Sequence, residues 1–141
     1  MTTEKVIETT VGAYSNHVAP YKTSTSLCCS PHGNMGMFYA WDGALRYEAG
    51  VARANLFLNR ASPYMDVDSY LPYEGKVILR NRTVHEAYVR VPLWVGRQAI
   101  RANVSGTDRP NRWLGSDLRF ADLRPGDVIT IEFPVVETTE A

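Results

Sequence analysis

With 141 residues, 45% of them hydrophobic, the chain is long enough for one domain that buries on the order of 70% of its unfolded surface. Fifteen basic and fifteen acidic residues leave a formal charge of zero, so no global field draws it to nucleic acid or to an anionic membrane. No run approaches the roughly 18 apolar residues that span a bilayer, and the first residues lack a basic flank and an apolar stretch, so a soluble, cytoplasmic chain without a membrane partner is expected.

Residues 1 to 30 are rich in Thr and Ser and show no apolar period. They read as extended or loop structure of the kind that lies against a neighbouring body. The segment ends in Cys28 and Cys29, the only cysteines of the chain. Consecutive residues close a disulfide poorly, because a disulfide prefers Cα atoms about 4.4 to 6.8 Å apart and neighbours stand at about 3.8 Å. Two adjacent thiols are left with three roles: ordinary buried core cysteines, a shared metal, or a nucleophile with a helper. Cys28-Cys29-Ser30-Pro31-His32 offers zinc two sulfurs and a nitrogen, one ligand short of a closed tetrahedral site and without the two-residue gap of a zinc knuckle. A helix starting at Gly33 or Asn34 would bring its positive end near both sulfurs and favour the thiolate, the form that attacks and ligates.

From Asn34 to about Glu48, the spacing of Met37, Phe38, Trp41, Ala44 and Leu45 predicts a helix with one buried face, ended by Gly50 as a C-cap. Beyond Gly50 the period changes to two. In Glu86 to Val95, the residues Ala87, Val89, Val91, Leu93 and Val95 share one face, and Tyr88, Arg90, Pro92 and Trp94 the other. Pro92 argues for an edge strand or a bulge. Similar segments are Val51 to Leu58, Met65 to Leu71, Lys76 to Arg80, Gln98 to Val104, Leu118 to Phe120 and Asp127 to Phe133. Turn residues at Asn81-Arg82, Ser105 to Asp108 and Arg124 to Asp127 separate them. The pattern predicts a mainly β protein: an antiparallel, jelly-roll-like β-sandwich preceded by a loop and one helix.

No phosphate-binding loop, dinucleotide fingerprint or serine elbow is present. Asp66 and Asp68 fall on one side of a strand, where like charges repel unless solvated or metal-bound, and a solvated face is the simpler reading.

The string Cys28-Cys29-Ser30-Pro31-His32-Gly33-Asn34, followed by Phe38-Tyr39-Ala40-Trp41, resembles the Cys-Cys-x-x-Asn segment and tyrosine-alanine-tryptophan helix of glycoside hydrolase family 127, the β-L-arabinofuranosidases. Ser69 to Val77, Val89-Arg90-Val91-Pro92-Leu93-Trp94 and Pro125-Gly126-Asp127 are similar to sandwich strands of that family. The resemblance runs over roughly residues 11 to 134. It implies an (α/α)6 barrel ahead of the sandwich, retaining hydrolysis, Cys28 as nucleophile, and Cys28 and Cys29 as zinc ligands. The family's other zinc ligands, a glutamate and a cysteine, and its acid/base glutamate would belong to sequence ahead of residue 1. His32 stands where the family has asparagine, and Met35 where it has a polar residue.

Residues 1–49 are therefore expected to be the end of a catalytic barrel region and 50–141 a β-sandwich. The resemblance implies a C-terminal fragment of a glycoside hydrolase, inactive alone, that acts on an arabinofuranoside-like carbohydrate when a barrel chain complements it. Zinc is expected only if the missing ligands are supplied. A bare helix face would favour a homo-oligomer or that complementing chain. The reading from another class is a non-catalytic carbohydrate-binding module presenting Trp94, Tyr70, Tyr73 or Trp113 to a glycan.

Overall fold

A computed structural model describes residues 29–135 of the chain, with side chains from Pro31 onward. In that range one helix, α1 (Cys29–Gly43), is followed by β1 (Leu45–Glu48), β2 (Val51–Ala54), β3 (Met65–Ser69), β4 (Lys76–Asn81) and β5 (Glu86–Arg90). A 3-10 turn, Arg97–Ala99, then leads to β6 (Arg101–Val104), β7 (Thr107–Asp108), β8 (Trp113–Leu114), β9 (Asp117–Phe120) and β10 (Val128–Glu132). The chain divides into two compact units between Asp42 and Gly43.

Alternating burial drives the sheets together. Val67, Val77, Leu79, Ile129 and Ile131 from one sheet and Ala52, Ala87, Val89 and Leu118 from the other form one buried cluster. The strand orders are β1-β2-β5-β9-β8 and β3-β4-β10-β6-β7. This is the expected sandwich preceded by a helix, with one departure from an all-antiparallel arrangement. β2 and β5 run parallel, with Val51 opposite Glu86. Parallel neighbours need a crossover, and the excursion through β3 and β4 in the other sheet provides it.

The helix lies five residues earlier than its spacing predicts at its C-terminal end, closing at Gly43 rather than near Glu48. Pro31 is tolerated because the first helical turn has N–H groups without intrahelical partners, so the missing donor costs nothing there. Leu45, Arg46, Tyr47 and Glu48 instead pair with Ala54, Arg53, Ala52 and Val51 as a hairpin. Sheet pairing overrides the helix preference of Leu, Arg and Glu. Gly50 turns that hairpin, with Ala49 at φ 47° and Gly50 at φ 83°. A Cβ on Gly50 would also strike the His85 ring. Met37, Phe38 and Trp41 are exposed, so the predicted buried helical face is not observed, while Ala44 and Leu45 are buried with the sandwich.

Strand β5 stops at Arg90, ahead of Pro92, and sits between β2 and β9 rather than at an edge. Pro92 lacks the donor a central strand needs, so the ladder ends before it. Leu93, placed on the apolar face by alternation, is 95% exposed in the turn that follows. Val91 and Val95 remain buried.

Candidate functional site

Cys28 lies outside the described residues, and Cys29 is the first residue of α1. The helix thus begins four residues before Gly33. His32 is exposed within its first turns, which contain no acidic residue. Among the described residues no group of three or more His, Cys, Asp and Glu side chains stands close enough to hold a metal ion. The two thiols lie beyond the described side chains and offer two of the four donors of a tetrahedral zinc site. As a donor set they fit half of such a site.

The aromatic residues expected as glycan platforms have different surroundings. Trp113 is partly buried against the core, and the Arg97 guanidinium covers its ring at 4.7 Å. Tyr70 carries the Lys76 ammonium 5.5 Å from its ring centroid. Trp94 packs edge-on against Phe133 at 5.8 Å, and Phe133 stacks on Phe57. Tyr73 is 92% exposed. Among the described residues no helix is long and apolar enough to cross a membrane.

Asp66 and Asp68 are not merely solvated. Arg82 Nη2 stands 2.6 Å from Asp66 Oδ2, and Arg80 Nε 3.0 Å from Asp68 Oδ2. The Arg82 hydrogen bond, with a further one from the Ser62 N–H, holds the Asp66 carboxyl below the usual carboxylate range.

One polar constellation among the described residues was not legible in any single segment. It covers the outer face of the first sheet, where the register aligns Arg46, Arg53, Tyr88 and Arg119 across β1, β2, β5 and β9. The Arg53 guanidinium sits 4.3 Å from the Tyr88 ring centroid, and its Nη1 3.7 Å from Asp117 Oδ2. Arg90 Nε lies 3.3 Å from Asp117 Oδ1. Arg119 Nε donates to Glu86 Oε1, and the Tyr88 hydroxyl donates to the same oxygen at 2.9 Å. The bond from Arg119, then that from Tyr88, keeps the Glu86 carboxyl below its ordinary range despite partial burial. Alternation in β5 marks Glu86, Tyr88 and Arg90 as one polar face, but their partners come from other strands and carry no local signal.

A scan against protein-family models and a search of curated proteins give no match. Solved structures do match. A β-arabinofuranosidase of glycoside hydrolase family 127 aligns with TM-score 0.65 at 15% identity, over 86% of this chain and 23% of its own. A family 127 β-L-arabinofuranosidase from Geobacillus stearothermophilus T6 aligns with TM-score 0.57 at 14% identity, over 81% of this chain and 20% of its own. A chain described as a glycoside hydrolase aligns with TM-score 0.65 at 16% identity, over 86% and 23%. The chain spans about a fifth to a quarter of the length of these structures. In fold, the chain is similar to one portion of the β-arabinofuranosidases of glycoside hydrolase family 127, the family its residues resemble.

Proposed function

We propose that the chain is the C-terminal, helix-and-sandwich portion of a retaining glycoside hydrolase of the β-L-arabinofuranosidase type. The observation that carries the proposal is the fold match over 86% of the chain, together with the Cys28-Cys29 sequence pair, of which Cys29 is the first residue of α1. In this reading Cys28 Sγ bonds to the anomeric carbon as the glycosidic C–O bond breaks. The leaving oxygen takes its proton from a carboxylic acid outside these 141 residues. Water then attacks the same carbon, releasing the Cys28 sulfur and restoring the original configuration. Cys28 and Cys29 would hold zinc with two further ligands from outside the chain, and zinc when bound would keep the sulfurs deprotonated. The helix start adds a partial positive charge that favours thiolate.

In this reading the chain carries half of the zinc ligand set and not the acid that protonates the leaving group, which predicts little transition-state stabilisation by the chain alone. The purified 141-residue chain should not hydrolyse a β-L-arabinofuranoside, and co-expression with a helical-barrel partner should restore turnover. Turnover by the chain alone would overturn the reading. Met35, Phe38 and Tyr39 are exposed on α1, which supports a covering partner or a second copy. The second reading, a carbohydrate-binding module, is favoured by the preorganised outer face of the first sheet.

A further inference from the structure

We infer that the outer face of the first sheet is a binding surface for a neutral saccharide. Arg46, Glu48, Val51, Arg53, Glu86 and Tyr88 line an open, shallow depression there, broad enough for a sugar ring to lie along the sheet. Its charges balance, two guanidinium groups against two carboxylates, so it does not select an ion. What it offers instead is fixed donors beside fixed acceptors. Arg53 is held by the Tyr88 ring and Asp117, and Glu86 by Arg119 and the Tyr88 hydroxyl. The two groups stand on adjacent, parallel strands, with Arg53 opposite Tyr88 and Glu86 opposite Val51, so they flank one stretch of sheet about 5 Å wide.

Neighbouring sugar hydroxyls match that arrangement, because each donates to a carboxylate and accepts from a guanidinium. A carboxylate held below its usual range stays an acceptor near neutral pH, and an arginine remains a donor. Groups already ordered by their neighbours lose little entropy when a ligand arrives. A charged ligand would gain from one pair of these groups what it loses to the other, whereas a neutral sugar can use both.

The inference stands on this geometry; only the choice of arabinose probes rests on the hydrolase reading. The test is amide-shift titration of the full 141-residue chain with arabino-oligosaccharides, xylo-oligosaccharides and, as the acidic comparison, oligogalacturonides. Saturable shifts at 46–53 and 86–88 with a neutral sugar are expected, and Arg53→Gln should weaken binding about tenfold or more. Tyr88→Phe, which keeps the ring and the packing, should weaken it severalfold through the loss of the hydroxyl that orders Glu86. No shift with any neutral probe up to about 20 mM, shifts centred on Trp94 or Tyr73, a preference for the acidic probe, or unchanged affinity in Arg53→Gln would each overturn the inference. The readout is binding by this chain, so it is independent of turnover and of zinc.

Discussion

Asn81 and Val84 exchange two hydrogen bonds across a buried turn: Asn81 Nδ2 donates to the Val84 carbonyl at 2.8 Å, and the Val84 N–H donates to Asn81 Oδ1 at 2.9 Å. A third bond from Asn81 Nδ2 reaches the Arg124 carbonyl at 2.7 Å, tying the end of β4 to the turn before β10. Asn81 is the buried polar residue of the described core, and its amide satisfies backbone groups on both turns. These turns join the ends of β4 and β10, which pair side by side in the second sheet.

Asn81→Leu should therefore destabilise the chain by about 2 to 4 kcal/mol, because it strands buried backbone groups rather than merely deleting a contact. Urea unfolding measures the difference. A loss below about 0.5 kcal/mol would contradict this role.

Gly75 and Gly106 separate steric contact from backbone conformation. A Cβ on Gly75 would collide with the Phe133 carbonyl, whereas nothing lies within 4 Å of one on Gly106, which instead has φ 79°. Gly106→Ala should cost about 1 to 2 kcal/mol. Gly75→Ala should cost more, about 3 kcal/mol, since the Gly75 carbonyl also accepts the Phe133 N–H at 2.8 Å and β4 cannot shift without breaking it. Equal losses in the two variants would contradict the assignment.

Acid stability should depend on Asp66. Its folded pKa is depressed by Arg82, so its stabilisation is complete above the unfolded value near about 3.9 and is lost as pH falls through the folded value. Asp66→Asn should lower Tm by a few degrees at pH 7 and converge with the parent chain at the acid end. Thermal scans from neutral to strongly acidic pH check this; parallel curves for the two proteins would contradict it.

Phe38 and Tyr39 pack on each other at 5.8 Å while both stay exposed on α1. The chain alone should self-associate through such apolar side chains, and Phe38→Ser with Tyr39→Ser should shift it toward monomer in light scattering. A clean monomer before substitution would contradict the covering role.

Much of the sandwich was legible because one face of each long strand is buried. Val89 and Ala87, Leu79 and Val77, and Ile131 and Ile129 show the two-residue period directly. β1 was not legible, since Leu45 continues the three-and-four spacing of α1 and only its partners in β2 decide the outcome. The two-residue strands β7 and β8 are too short to carry a period. For the site, the thiols stand out by chemistry, and Cys29 opens the helix four residues before its expected start. The Glu86–Arg119 and Arg53–Asp117 pairs escape a linear reading because they join residues far apart in sequence through sheet register. The cations near the Tyr70 and Trp113 rings, Lys76 and Arg97, are contacts that a linear reading does not show.

The most direct test of the central proposal is zinc stoichiometry, measured for the chain alone, for the chain co-purified with a helical-barrel partner, and for the same complex carrying Cys29→Ser. One equivalent that appears only in the complex and is lost in Cys29→Ser is the predicted result. A full equivalent bound by the chain alone, or one retained in the complex after Cys29→Ser, would contradict it.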